Sequence, residues 1–364
     1  MADIEIKNLC KKYGEFTAVK NSSFKIKDGE FFVMLGPSGC GKTTTLRMIA
    51  GLEIPTSGQI LLDNKDVTFL RASQRDIAFV FQMFALYSHM NVEKNLAFPL
   101  KMQHVKRKDI KSRVLEVAKI LRIEHILKKS TNGLSSGDRQ RVALGRALIR
   151  KPKVFLMDEP LGALDAKFRD LMTKELLLLH KRINATTIYV THDQLEAMSM
   201  ADRVCVMNQS EILQIGKPLD IYRKPNTRFV AGFVGSPEMN FITVTGNLKI
   251  GQKEVIANGL KLVVPEIYEN IDEAEVILGV RPENIKIDAN GEISGKIIHI
   301  EYLGSRQLFI VETNLGLLTA KAHSKENIKN GNDIKLSFVS ESLILFNPKN
   351  DKAIKSKLYE DENV

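Results

Sequence analysis

The chain has 364 residues, 44% of them hydrophobic and 26% charged, with a formal net charge of +10. That length suffices for two domains with cores of their own. Apolar runs such as Phe31–Leu35 fall far short of the roughly 20 residues needed to span a bilayer. Three scattered cysteines, Cys10, Cys40 and Cys205, make no disulfide framework and point to a reducing compartment. The amino terminus, Met1-Ala2-Asp3-Ile4-Glu5, lacks the charged-then-apolar order of an export signal. Positive residues are spread out, the densest group being Lys106-Arg107-Lys108, so they read as solvated faces and not as a nucleic-acid stripe.

In chain order, Ile4, Ile6 and Leu9, then Phe24 and Ile26, alternate as short strands on either side of a Tyr13-Gly14 turn. Phe31-Phe32-Val33-Met34-Leu35 is a fully apolar strand, and Gln59–Leu62 and Ile77–Phe81 predict two more. From about Asn91 to Arg150 the pattern is helical: Val114, Val117, Ala118 and Leu121 form one apolar face, and a second helix starts near Ser136. Val154–Met157, Thr187–Val190 and Arg203–Met207 are strands, separated first by a helix over Ala166–Ile183 whose Leu176–Leu179 run is expected in the core. Strands alternating with helices predict a largely parallel, helix-covered sheet. After a connector ending near Gly235-Ser236-Pro237, short β runs separated by Gly and Asn turns predict a small β-barrel-like domain.

Gly36-Pro37-Ser38-Gly39-Cys40-Gly41-Lys42-Thr43-Thr44 lies between the Phe31–Leu35 strand and a helix-like segment, the context of a phosphate-binding loop. The glycines let backbone N–H groups turn inward at phosphate oxygens, Lys42 would reach the β- and γ-phosphates, and the Thr43 hydroxyl would ligate Mg²⁺. Val154–Met157 delivers Asp158 and Glu159 at a strand's carboxyl end, where ligands sit in open α/β sheets. Asp158 suits Mg²⁺ binding, and Glu159 suits polarising an attacking water. Ser135 and Ser136 open a helix, either as plain caps or as a second anion site.

Together these stretches resemble the ATP-binding subunit of an ATP-binding-cassette (ABC) transporter, over essentially the whole chain. The motifs occur in the family's order: the phosphate loop Gly36–Thr43, Gln82, the signature Leu134–Gln140, Asp158-Glu159, Leu164-Asp165, and Thr191-His192-Asp193. Phe81-Gln82 with Ala85-Leu86-Tyr87, Arg228–Phe233, Gly235-Ser236-Pro237 with Met239-Asn240-Phe241, and Val280-Arg281-Pro282-Glu283 are similar to the maltose, oligosaccharide and glycerol-phosphate importer group. The resemblance implies an α/β P-loop cassette over residues 1–235, with a mixed sheet and a helical subdomain at about 89–150. It implies an all-β, OB-like regulatory domain of TOBE type over residues 236–364.

By resemblance, Tyr13 stacks on adenine, Gln82 touches Mg²⁺ and senses the permease, and His192 contacts the γ-phosphate. Ser135, Ser136, Gly137, Asp138 and Asp165 complete the ATP site of a second, head-to-tail subunit. The implied setting is the cytoplasmic face of a cell membrane, on two permease subunits fed by an external solute-binding protein, with docking near Gln82 to Phe98. The expected activity is ATP hydrolysis that drives uptake of a sugar or glycerol-phosphate-like solute. Polyamine or osmolyte import, or a soluble ATPase acting on nucleic acid or ribosomes, are the alternatives. Three departures stand out: Ser136 and Asp138 replace the usual Gly and Gln of the signature, and Gly162 replaces a common Ser. They predict a working but slower ATPase.

Overall fold

The computed structural model describes residues 2–162, 164–183, 185–324 and 329–360, and the chain divides into two compact units, Met1–Pro218 and Leu219–Val364. In the first unit the elements run β1 (Ile4–Tyr13), β2 (Phe16–Ile26), β3 (Phe31–Leu35), α1 (Lys42–Ala50), β4 (Ser57–Leu62), β5 (Lys65–Asp66) and β6 (Ile77–Val80). Three helices follow, α2 (Val92–Met102), α3 (Arg107–Ile120) and α4 (Ser136–Leu148). The unit closes with β7 (Val154–Asp158), α5 (Ala166–Ile183), β8 (Thr186–Thr191), α6 (Gln194–Met200), β9 (Arg203–Asn208) and β10 (Glu211–Gly216).

Two sheets share this unit's core. A four-stranded antiparallel sheet has the order β2-β1-β4-β5, and a six-stranded sheet the order β10-β9-β3-β8-β7-β6. Within the second, β6, β7, β8, β3 and β9 are parallel and only β10 is antiparallel. Every residue of β3, β7 and β8 is buried, as a central parallel strand covered on both faces requires. β3, β7 and β8 therefore aim their carboxyl ends at one edge of the sheet, where loops carry the polar residues.

The helical segment is held by matched surfaces. Asn91 caps α2 by accepting from the Lys94 N–H at 2.9 Å. α3 buries Ile110, Val114, Val117 and Ala118, the face expected from the spacing. Gly145 of α4 lies so close to Leu96, Leu121 and Val117 that a methyl there would collide with them. On α5 only part of the expected leucine run reaches the core: Leu176 and Leu179 are buried, but Leu178 is 53% exposed. A helix turns about 100° per residue, so four consecutive leucines cannot share one face.

The second unit begins with α7 (Pro218–Arg223) and α8 (Arg228–Phe233). Its strands are β11 (Asn240–Thr245), β12 (Glu254–Ala257), β13 (Leu260–Val263), β14 (Glu275–Val280), β15 (Ile285–Ile287), β16 (Ile293–Leu303), β17 (Arg306–Thr313), β18 (Gly316–His323), β19 (Asp333–Phe338) and β20 (Ile344–Phe346). They form a β11-β14-β20 sheet, a β12-β13 hairpin and a five-stranded β15-β19-β16-β17-β18 sheet around one apolar core. The connector up to Gly235, which the sequence reading grouped with the cassette, makes its contacts within the second unit. The buried Arg281 guanidinium donates to the carbonyls of Tyr222 (2.7 Å), Ala231 (3.2 Å) and Val234 (2.6 Å), pinning both short helices to the β-domain. The carboxyl-terminal tail packs as far as Tyr359, whose hydroxyl donates to the Pro225 carbonyl at 2.7 Å. Its last residues, 361–364, lie outside the described residues.

A nucleotide-binding site at the sheet edge

The loop between β3 and α1 is shaped by its glycines. Gly41 caps α1 with φ 101°, and a side chain there would strike the Ala18 carbonyl. Gly36 lies against the Met207 carbonyl with no room for a methyl. Lys42 is 4% exposed, and its ammonium turns back on the loop, donating to the carbonyls of Gly36 (2.8 Å) and Pro37 (2.9 Å). These carbonyls hold the charge where an anion in the loop would meet it. Cys40 is buried at 3.8 Å from the ammonium, and burial pushes its thiol above its ordinary pKa. It is an inert wall of the loop.

Thr43, the first-turn residue of α1, donates its hydroxyl to Asp158 Oδ1 at 2.7 Å. Asp158, at the end of β7, is 4% exposed. Burial raises its carboxyl pKa, which the Thr43 hydrogen bond and then Arg47 partly offset. A hydroxyl and a desolvated carboxylate in contact are the hard-oxygen pair that a divalent cation takes. Among the described residues no three His, Cys, Asp or Glu side chains gather as a metal site. A cation bound at this pair would draw its other ligands from phosphate and water.

Beside this pair Glu159 leaves the strand with φ 42°, a left-handed conformation of the kind concentrated at functional sites. Its N–H donates to the Val190 carbonyl of β8 at 3.0 Å, so the turn is tied to the next strand. Its carboxylate receives Gln82 Nε2 at 3.4 Å and lies 3.2 Å from His192 Nδ1. Three residues expected from separate motifs thus meet on one carboxylate oxygen.

The turn that carries His192 is held by neighbouring groups, of which Arg169, Tyr189 and Glu196 were not singled out from the sequence. Asp193 caps α6 by accepting from the Leu195 and Glu196 N–H groups, and Arg169 of α5 pairs with it at 3.0 Å. Buried Glu196 accepts from the hydroxyls of Tyr189 (2.8 Å) and Thr191 (2.7 Å). The acidic residue three positions after Asp193 was the available signal, a first-turn carboxylate behind an N-cap.

Further along, Asn95 is completely buried and holds the loop that follows Gln82. It accepts from the Tyr87 N–H at 2.9 Å and donates to the carbonyls of Tyr87, Met90 and Asn91. Arg146 of α4 lies 5.0 Å from the Tyr87 ring. In the cluster expected as a docking surface, Met83 is 84% exposed, whereas Phe84, Leu86 and Tyr87 are half-buried.

The signature residues form a second constellation. Ser135 caps α4, accepting from the Asp138 N–H at 3.1 Å and donating to Asp138 Oδ2 at 2.9 Å. Gly137 packs on the ring of Phe168, where any side chain would collide. Asp165 accepts from the Phe168 N–H at 3.0 Å, so the same α5 turn joins both expected second-subunit contacts. Ser136 is half-buried at the first position of α4. Among the described residues, no hydrogen bond or ion pair links Ser135–Asp138 to the phosphate loop of the same chain. Ala163, in the loop before Asp165, lies outside the described residues. Tyr13 ends β1 at 47% exposure, with the Lys11 ammonium 4.8 Å from its ring.

A phosphate loop and an acidic strand end on one edge of a parallel sheet define a nucleoside triphosphatase cassette. Comparison with known proteins narrows that class. The ABC transporter family profile matches residues 19–162, the MalK OB fold domain residues 235–285, and the TOBE domain residues 278–346. The chain is 43% identical to the trehalose/maltose import ATP-binding protein MalK of Thermococcus litoralis, over 97% of this chain and 100% of the relative. It is 48% identical to the sn-glycerol-3-phosphate import ATP-binding protein UgpC of Bordetella avium, over 85% of each. A dimeric ATP-binding cassette in a post-hydrolysis state, bound to ADP and phosphate, aligns with a TM-score of 0.54 and 33% identity over 59% of this chain and 98% of that one. The chain belongs to the ABC transporter family, as an ATP-hydrolysing import subunit whose cassette is followed by MalK-type OB and TOBE segments. No described helix is long and apolar enough to cross a membrane.

Proposed function

We propose that this chain powers uptake of a sugar or glycerol-phosphate-like solute by closing on ATP as a head-to-tail homodimer. The observation that carries the reading is the meeting of Gln82, Glu159 and His192 beside the Thr43–Asp158 pair. The loop N–H groups and Lys42 bind and orient the triphosphate, while exposed Tyr13 offers a ring for the base. Thr43 and Asp158, with Gln82 at their side, would hold Mg²⁺, which neutralises phosphate charge when bound. Glu159 accepts the proton of the attacking water, and His192 fixes that carboxylate and reaches the γ-phosphate.

Phosphoryl transfer is accelerated mainly by positioning and charge stabilisation. A site open on one side is therefore incomplete. Ser135, Ser136, Gly137, Asp138 and Asp165 are grouped on one surface and unconnected to their own loop, which suits them to close on a second copy. Met83 and its half-buried neighbours, braced by Asn95, suit contact with two permease subunits at the cytoplasmic membrane face. An external binding protein would deliver solute to those subunits. The solute class is supported by the names of the MalK and UgpC relatives.

Glu159→Gln keeps the hydrogen bonds but loses the proton acceptor. The variant should dimerise in ATP and Mg²⁺ with turnover down at least a hundredfold, measured by sedimentation and phosphate release. Absence of nucleotide-dependent pairing, with or without the permease subunits, would overturn the reading. Uptake assays with sugars, glycerol phosphates, polyamines and osmolytes in the reconstituted transporter decide the solute.

A further inference from the structure

We propose that the β-domain carries a binding site for a small phosphate-bearing metabolite, between the two edge strands of its five-stranded sheet. The proposal concerns the second unit alone and does not rest on the reading of the ATP site. In the strand order β15-β19-β16-β17-β18 the edges are β15 and β18. A cavity of about 550 Å³ opens there, lined from β15 by Lys286, from β17 by Arg306 and from β18 by Lys321 and His323. That volume lies in the range of small-molecule sites, about 300–1,000 Å³.

The charges are one-sided. Among the described residues, Lys286, Arg306 and Lys321 form no ion pair and no side-chain hydrogen bond. Arg306 stands directly opposite His323 in the β17–β18 register, and Lys321 lies two residues before His323 on the same face. Arg306 and Lys321 are thus diagonal neighbours, within reach of each other's long side chains. Like charges so placed repel, and an anion between them removes the repulsion. Among the described residues, the one carboxylate on the rim, Glu283, is already engaged. It accepts from the Tyr222 hydroxyl and faces the buried Arg281 guanidinium. Among the described residues, three cations therefore remain uncompensated.

The chemistry of the lining selects the ligand. A planar Arg306 fork and two ammonium groups match the oxygens of a phosphate dianion better than a monocarboxylate. Ile285, Phe309 and Ala322 add apolar wall for a carbon skeleton. Inorganic phosphate shares the anion chemistry, so both sources must be compared.

The test uses the full chain with Lys42→Ala, which disables the competing phosphate loop, and calorimetric titration with glucose 6-phosphate and with inorganic phosphate. The expected result is saturable binding that weakens at least tenfold in Arg306→Ser/Lys321→Ser and also in Lys286→Gln. Tighter binding of the sugar phosphate identifies an ester site, and equal binding identifies a site for the free anion. In the unmutated chain, hydrogen exchange should slow in β15 and β18 when either probe is added, which keeps the test valid if a variant misfolds. No saturable binding at millimolar probe, binding unaffected by the substitutions, or exchange protection confined to the phosphate loop would each overturn the proposal. Binding only of a long polyanion such as heparin would also overturn it.

Discussion

Asp138 is where the signature departs most sharply in charge from its family, and Asp138→Gln tests what that costs. Ser135 Oγ donates to Asp138 Oδ2 at 2.9 Å while accepting from the Asp138 N–H at 3.1 Å. To meet a phosphate on a second copy, the hydroxyl must first release the carboxylate. A hydrogen bond to a charged group is worth about 1.5–3 kcal/mol net. Ser135 is exposed, so solvent screening brings this towards about 1 kcal/mol. A carboxylate about 6 Å from a phosphate charge adds about 0.7 kcal/mol in water-like surroundings and about 3 kcal/mol at an effective dielectric of 20. The sum is about 2 kcal/mol per site, or about thirtyfold in closure. In a Glu159→Gln background, Asp138→Gln should tighten ATP-induced dimerisation at least tenfold by sedimentation equilibrium. The midpoint of unfolding should stay within about 2 °C, because the backbone N–H of residue 138 still caps through Ser135. Dimerisation constants within twofold of each other would refute the reasoning.

Two other perturbations probe the site's supports. Asn95→Ala leaves the Tyr87 N–H without its acceptor, at about 1–3 kcal/mol for the unsatisfied group, while the carbonyls of Tyr87, Met90 and Asn91 keep other donors. At about 2–4 °C per kcal/mol for a domain of this size, thermal scanning should show a midpoint at least about 2 °C lower. For Asp158 the sign follows from burial, which raises the folded-state pKa above the unfolded one. The folded chain then binds the proton more tightly, so stability falls as pH rises from the ordinary carboxylate range through the raised pKa. Asp158→Asn should therefore be more stable than the unmutated chain at pH 7 without nucleotide, with the difference fading towards pH 4. Thermal scans across that range check this, and in the variant ATP with Mg²⁺ should no longer raise the midpoint.

Legibility from sequence tracked how local each feature is. Gly36–Thr44 could be placed because strand, glycines, Lys and Thr lie within a few residues of each other and the chemistry needs that order. The helical block and the late β-domain followed from a change in hydrophobic period. Asp158 and Glu159 were legible as the polar end of an apolar strand. Leu178 was misplaced because a run of leucines hides the helix period that exposes one of them. That residues 219–234 cluster with the second unit was not legible, because Arg281, far along the chain, is what holds them.

By itself the sequence determined the element types, the phosphate loop and the identity of the acidic and histidine residues, since these rest on periodicity and on bond chemistry within short windows. Only the tertiary structure decided that Gln82, Glu159 and His192 converge on one oxygen, that Asp138 holds the Ser135 hydroxyl, and that Lys286, Arg306 and Lys321 share one cavity. The physical reason is sheet pairing. Parallel β7 and β8 bring together the chain ends after Asp158 and Thr191, and the approach of β15 to β18 puts Lys286, Arg306 and Lys321 on one cavity. Neither distance is encoded by spacing along the chain.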